Sequence, residues 1–260
     1  MRTFLLLVLI FFFESYINGQ AWPKVYFINY PNFPYTVIQS YDHGYVIGGQ
    51  LFNYNGTLKD GFLYKTSING NIIWHKSFTQ PYEGTSIFDL NQTSDGGYII
   101  AGSTDKYDSW GDPFIMKLNS CVENEWCRIY RIVKDTFDYA NSIYQIPGGY
   151  IVYIYRTGNL WANDHIHLFR LDQNGEMIWQ QMYAQTDSLF LGAAGEHMIV
   201  TPDYHFLING YCYYPDSGTT NPKYLRPLVI KVDSLGAAEW ELPWSEIGGE
   251  SIHGMSFRSI

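Results

Sequence analysis

Three stretches of the chain set aromatic rings beside carboxylates and amides: Trp110 with Asp105, Asp108 and Asp112, Trp161 with Asn163 and Asp164, and the cluster Tyr211, Tyr213, Tyr214 and Tyr224. An exposed ring next to hydrogen-bonding groups stacks on a sugar face or grips a peptide side chain. Trp110, Asp112, Trp161, Asp164, Tyr213 and Tyr214 are therefore the candidate ligand-binding residues, although rings in such places also serve simply to cover the ends of a β scaffold. The three Asp offer hard oxygen ligands but lack the alternation and closing Glu of a calcium loop. His165 and His167 fall on one face of a strand, as two zinc ligands would, yet no third ligand is placed with them, which favours two packed imidazoles. No metal and no cofactor is expected.

Catalytic signatures are missing. There is no strand-turn-helix nucleophile elbow and no H-E-x-x-H. Two acids about 5 to 10 Å apart would suit glycoside cleavage, but one sequence cannot bring them together. Among residues expected to face a central axis, Gln39, Asp89, Gln92 and Gln145, only Asp89 is an acid. Asn55-Gly56-Thr57 and Asn91-Gln92-Thr93 fit the glycan acceptor pattern of a eukaryotic secretory route.

The elements that would carry these residues are written as a repeat. Trp22, Trp74, Trp126 and Trp179 stand 52, 52 and 53 residues apart, and Trp240 follows after 61. Four residues beyond each is another aromatic (Tyr26, Phe78, Tyr130, Tyr183, Trp244), and nine before the last four is a base (Lys65, Lys117, Arg170, Lys231). Tyr45, Tyr98, Tyr150 and Phe206 keep the same beat at the head of apolar runs such as Tyr98-Ile99-Ile100-Ala101. Such a run, opened by Asp95-Gly96-Gly97, predicts a tight turn and then a strand buried on both faces. In the fourth copy Tyr204-His205 replaces Gly96-Gly97, and a turn of another type is expected there.

Each repeat reads as four strands, a to d; in the second copy these are 87–93, 98–104, 114–119 and 125–130. No helical periodicity appears outside the leader. Four-stranded antiparallel units repeating about every 52 residues predict an all-β fold, a β-propeller whose blades bury both faces against their neighbours. A β-sandwich would not need so regular a beat, and a β-solenoid has shorter repeats. Trp22 to Tyr26 matches strand d and Glu250 to Ile260 matches strand a. The expectation is thus four full blades and a partial fifth, eighteen strands in an incomplete ring, with the repeat Trp residues buried between blades.

The pattern Asp95-Gly96-Gly97-Tyr98-Ile99-Ile100-Ala101-Gly102, Lys117-Leu118-Asn119 and Trp126-Cys127-Arg128 resembles the propeller repeats of secreted bacterial surface proteins of the type IX secretion kind. The resemblance covers nearly all of residues 20–260, and it implies a structural role for Trp22, Trp74, Trp126, Trp179 and Trp240. The segment Leu171 to Trp179 is also similar to the Trp-docking repeats of quinoprotein-like propellers, with a turn one residue shorter, and no cofactor is carried over from it.

Arg2, the apolar run Phe4 to Phe13 and the small-residue end at Gly19 have the layout of a secretory signal peptide, residues 1–19, followed by a propeller domain over 20–260. The apolar run is too short to span a membrane. Export permits disulfides, and Cys121 and Cys127, six apart across the c-to-d turn of the second blade, are expected to form one, while Cys212 reads as a small buried side chain. A formal charge of -9 disfavours nucleic acid and anionic membranes. With 18% aromatic and only 16% charged residues, the leading expectation is an exported, non-enzymatic propeller at a cell surface, binding a glycan or an extracellular protein or acting as a spacer. The alternative is a carbohydrate-active enzyme of glycoside hydrolase or lyase type, using acids near the axis such as Asp89 or Asp112.

Overall fold

Sixteen strands build the described part of the chain. The computed structural model describes Tyr26 and residues 31–53, 58–78, 84–105, 111–131, 137–157, 165–183, 192–215 and 222–243. The first blade consists of β1 (Asn32–Gln39), β2 (Tyr45–Phe52), β3 (Leu58–Thr66) and β4 (Ile72–Phe78). The second has β5 (Thr85–Gln92), β6 (Tyr98–Thr104), β7 (Asp112–Leu118) and β8 (Asn124–Ile129). The third comprises β9 (Phe137–Ile146), β10 (Gly149–Thr157), β11 (His165–Leu171) and β12 (Met177–Tyr183), and the fourth β13 (Gly192–Val200), β14 (Phe206–Pro215), β15 (Pro222–Val232) and β16 (Ala238–Pro243). Every sheet is antiparallel with its strands in sequence order. The fold is a β-propeller, and among the described residues its ring is not closed. Leader residues 1–19, Trp22 and the expected strand at Glu250 to Ile260 lie outside the described residues.

The inner strands succeed one another around the axis: β5 packs on β1, β2 and β3, β9 on β5, β6 and β7, and β13 on β9, β10 and β11. This explains the uninterrupted apolar runs. Every residue of β6 is buried, with Ile100 in the core shared by blades one and two, and Ile99 and Ala101 in the core shared by blades two and three. A third core joins Tyr153, Ile166 and Leu168 to Met198, Phe206 and Ile230 across blades three and four. Each such large apolar side chain contributes about 1.5–3 kcal/mol by leaving water.

At the a-to-b turns one polar device recurs. The Ser40 hydroxyl donates to Asp42, that of Thr93 to Asp95 and that of Thr201 to Asp203. The repeated base reaches up from strand c: Lys65 pairs with Asp42 at 2.5 Å, and Lys117 with Asp95 at 2.9 Å and with Glu125 at 3.0 Å. In the third blade Pro147 stands where the acid would be, the base is Arg170, and its guanidinium donates instead to the carbonyls of Pro147 and Tyr150. The fourth turn is of the same type as the first two, contrary to expectation. Thr201 N–H donates to His205 O and Tyr204 N–H to Thr201 O, as Thr93 and Gly96 do, because Tyr204 takes up the left-handed φ of 59° that Gly96 has at 83°.

The repeat Trp residues tie successive blades at their outer ends. The Trp126 ring lies over Gly175 of the next c-to-d turn, where a Cβ would meet it at 2.7 Å, and its Nε1 donates to Gln173 O. Trp179 lies over Gly236 in the same way. These rings are half-buried rather than enclosed, as is Trp74, and Trp240 is 38% exposed, since no described turn follows its blade. The tie is a lid on a turn, not a core ring.

No disulfide joins Cys121 to Cys127. Cys121 sits on the c-to-d turn, whereas Cys127 pairs with Met116 inside the β7–β8 ladder, three residues beyond the Leu118↔Asn124 rung. At about 3.3 Å per strand residue that separation exceeds the Cα spacing of roughly 7 Å that a bridge allows.

Candidate functional site

The inner strands carry a second repeated feature. The ladder register jumps once in each of them, leaving Tyr35, Phe88, Asn141 and Glu196 as the extra residues of four β-bulges. A bulge bends its strand and re-aims the residues beside it. The residues that follow, Thr36, Asp89, Ser142 and His197, form a chain of polar groups from blade to blade. The Thr36 hydroxyl donates to Asp89 Oδ1 at 3.4 Å, Asp89 Oδ2 accepts the Ile143 N–H at 2.8 Å, and Ser142 Oγ lies 3.3 Å from His197 Nδ1. The position is the same in each blade, yet the residue differs every time.

Asp89 dominates this axial group. Burial pushes its carboxyl up, and although the N–H groups of Ile143 and Leu90 and the Thr36 hydroxyl favour the anion, desolvation prevails and the pKa rises to about 7. The residue as a whole is half-buried. The Asn91 amide, tied to Ile143 O at 2.5 Å, packs beside it, which occupies the side chain of the second glycan acceptor pattern. Tyr144 is pushed up to about 12 by burial and by the nearby Asp89 charge. His197 is held below the ordinary His range by burial.

Toward the b-to-c loop end of the same strands an aromatic belt runs across the blades. Tyr35 meets Phe88 edge-on at 5.2 Å, Phe88 meets Tyr139 at 5.6 Å, and Tyr139 stacks on Tyr155 at 6.3 Å. The Gln50 amide donates to the Tyr35 hydroxyl and accepts from Ser86. Asp138, at the head of β9, stands 3.8 Å from Arg156, with His165 paired opposite Arg156. The two His rings lie 6.3 Å apart, and burial, then Arg156, lowers His167 to about 4. Among the described residues no group of three His, Cys, Asp or Glu is placed to hold a metal ion.

Of the candidate ligand-binding residues, Asp112 is buried at the start of β7. Tyr213 and Tyr214 are described as backbone of β14 only, and Trp110, Trp161 and Asp164 lie outside the described residues. The glutamines expected on the axis have another task. Gln92 Oε1 accepts the Tyr41 N–H and Gln145 Oε1 the Ser94 N–H, both at 2.7 Å, latching each a-to-b turn to the next blade. What sequence reasoning missed is the bulge: Thr36, Ser142 and His197 share a place with Asp89 only once the extra residue is seen. On the opposite face an open depression of about 310 Å³ is lined by Gln145, Pro147, Gln173 and Tyr204, and holds no acid or base besides that Tyr.

No family model matches the chain, so the resemblance to repeats of exported surface proteins has no support of that kind. No curated protein matches it either. Solved structures do. A thermostable family-43 glycoside hydrolase superposes with a TM-score of 0.51 at 14% identity, covering 84% of this chain and 78% of its own. The endo-arabinase of Bacteroides thetaiotaomicron VPI-5482 gives 0.48 at 13% identity, covering 82% and 80%. An endo-1,4-β-xylanase of the same organism gives 0.48 at 9%, covering 80% and 75%. The first of these shows the propeller fold. It also overturns the expectation of a non-enzymatic protein: the solved structure sharing the fold is itself an enzyme, so the absence of a familiar motif is no mark of an absent activity. Among the described residues no helix is long and apolar enough to cross a membrane.

Proposed function

We propose that this protein is an exported, carbohydrate-active propeller of the glycoside hydrolase kind, which takes a glycan at the b-to-c loop end of its axis and uses Asp89 as a general acid. The single observation that carries the reading is the Asp89 carboxyl, placed on an inner strand between Thr36 of one blade and Ile143 of the next and raised to about 7. Such a group keeps a proton near neutral pH and hands it to a leaving oxygen. In this reading Thr36 and the Ile143 N–H steady the carboxylate left behind, and the belt of Tyr35, Phe88 and Tyr139 gives a sugar ring apolar faces to stack on.

Cleavage also requires a second carboxylate to act as base or nucleophile. Asp105, Asp112 and Asp138 stand at the same end: Asp105 N–H donates to Gly84 O, and Asp138 N–H to Gly111 O beside Asp112. In this reading Trp110, Asp112, Trp161, Asp164, Tyr213 and Tyr214 serve glycan binding, and residues 1–19 are the leader that exports the protein.

The test is turnover of a panel of plant and microbial polysaccharides, followed by release of reducing ends. The parent should cleave at least one of them, and Asp89→Asn should lose about 10²- to 10⁴-fold of that rate while folding normally. Unchanged turnover by the variant, or a well-folded parent inert on the whole panel, would overturn the reading.

A further inference from the structure

The glutamine latches of the turn end stop short of the fourth blade. Gln39, Gln92 and Gln145 stand opposite Tyr45, Tyr98 and Tyr150 on one rung of strands a and b, and on the same rung of blade four Val200 stands opposite Phe206. The donors to these latches are Tyr41 and Ser94, each two residues beyond the Gln of its own blade. In the third turn that place falls to Pro147, which has no N–H. Donor and acceptor are thus lost together between blades three and four.

The third turn is also one residue shorter than the first two. In those, the Gln amide closes on its own turn: Gln39 Nε2 donates to His43 O at 3.3 Å and Gln92 Nε2 to Gly96 O at 3.2 Å. Gln145 keeps its Oε1 on the Ser94 N–H, but among the described residues its Nε2 meets no carbonyl of the shortened turn.

The depression of about 310 Å³ lies at this gap, lined by Ser94 of the second turn, Gln145, Pro147 and Gly148 of the third, Gln173 of the neighbouring c-to-d turn and Tyr204 of the fourth. Sites for small ligands begin at about 300 Å³. Its floor is bare backbone, since a Cβ at Gly148 would meet nothing nearer than Arg170 Nη2 at 3.4 Å.

The lining selects the ligand. It offers two side-chain amides, a hydroxyl and a Tyr that is 45% exposed, and no carboxylate or ammonium. The Arg170 guanidinium beneath is already donating to Pro147 O and Tyr150 O, so it is not held out to an anion. An extended peptide needs the alternating backbone donors and acceptors of an open strand edge, which a Pro-Gly turn does not present. Amides and a hydroxyl around one aromatic ring suit a neutral, polyhydroxylated ring.

We propose that this depression is a second glycan site, on the face opposite the b-to-c loops, which takes one neutral sugar unit with Tyr204 against its ring and Gln145 Nε2 donating to one of its hydroxyls. It binds without cleaving and does not depend on Asp89 acting as an acid.

Hydrogen–deuterium exchange of the full chain, resolved by peptide and run with a panel of neutral mono- and disaccharides, tests this. At least one sugar should slow exchange in the turn peptides around 145–150 and 201–206. Two variants leave the turns intact: Tyr204→Gly removes the ring, and Gln145→Glu keeps an oxygen for the Ser94 N–H while removing the donor. Each, checked for a parental melt, should weaken the affinity read at those peptides by about tenfold. Unchanged affinity in both variants overturns the proposal, as does a panel in which no sugar slows the turns. Slowing by a pool of short peptides and by no sugar would make this a peptide site and also overturns it. Protection confined to residues 86–90 overturns this site and leaves the reading of Asp89 standing, whereas protection of the turns in a protein that cleaves no polysaccharide supports this site and sinks that reading.

Discussion

The two ends of the same inner strands obey different rules. At the a-to-b turn end, Ser40, Thr93 and Thr201 repeat one hydrogen bond to an Asp, Lys65 and Lys117 repeat one ion pair, and Gln92 and Gln145 repeat one latch. Where the third blade departs, Arg170 and Pro147 depart together and the carbonyls there are still bonded. At the bulge end the backbone repeats with equal fidelity, but the residue does not: Thr36, Asp89, Ser142 and His197 stand at one place in four blades. Repeated chemistry with every partner satisfied marks what holds blades together. Repeated geometry with varied chemistry marks where a ring fold is free to build an asymmetric site.

If that contrast is right, the largest effects on activity belong to the bulge end. Beyond the rate loss on Asp89→Asn, the pH profile should follow the carboxyl: a general acid works only while protonated, so turnover should fall as pH rises through about 7. The stability linkage has the same sign. The folded state holds a proton that the unfolded chain, with an ordinary carboxyl near 3.8, has released; the parent is therefore less stable above pH 7 than below it. Asp89→Asn should remove that slope in a melting series from pH 5 to 8, and a slope unchanged by the substitution would show that Asp89 is not the group responsible.

At the turn end the largest effects should fall on stability instead. Lys117→Ala removes a cation that is 4% exposed and leaves Asp95 and Glu125 facing each other without it. The loss should be on the order of 3 kcal/mol by urea unfolding, at the low end for breaking such a pair because both acids keep contact with water. Its effect on turnover of correctly folded protein should be slight. A variant with parental stability and lost activity would reverse the assignment of the two ends.

The Trp lids grade the same argument along the ring. Trp126→Ala uncovers Gly175 and breaks the bond to Gln173 O, and should cost about 2 kcal/mol, below the range for a fully enclosed ring. Trp240→Ala, at a 38% exposed ring, should cost under about 1 kcal/mol. Equal losses at the two positions would mean that Trp240 is as well covered as Trp126.

The smallest effect expected is at the fourth turn. Tyr204 holds a φ of 59° while 45% exposed. Tyr204→Gly relieves the left-handed strain but gains freedom in the unfolded chain, so the net should be stabilising and within about 1 kcal/mol. A clear loss in the melting temperature would show that the Tyr204 ring does more than fill the turn.

Much of this architecture was legible in the sequence because it is periodic and local. The period of about 52 residues, the both-faces-buried run Tyr98–Thr104, and the turns with Gly96 and Gly175 follow from spacing, hydrophobicity and the φ that glycine permits. The disulfide was misjudged because six residues of separation say nothing about ladder register, which puts Cys127 opposite Met116. The fourth turn was misjudged because hydrogen bonds to Thr201 and His205 can hold a Tyr where glycine is usual.

The axial group belongs to tertiary structure alone. A bulge shifts the count by one, at Asn141 as at Phe88, and alignment by the Gly-Tyr motif cannot show which residues then share the axis. Nor could any single strand foretell that Asp89 would be desolvated enough to hold its proton, because two of its three donors, Thr36 and Ile143, stand 53 and 54 residues away, and the burial that outweighs them is supplied by the neighbouring blades. A repeating sequence determines the blade; only the closing of blades around an axis decides which of its polar residues meet.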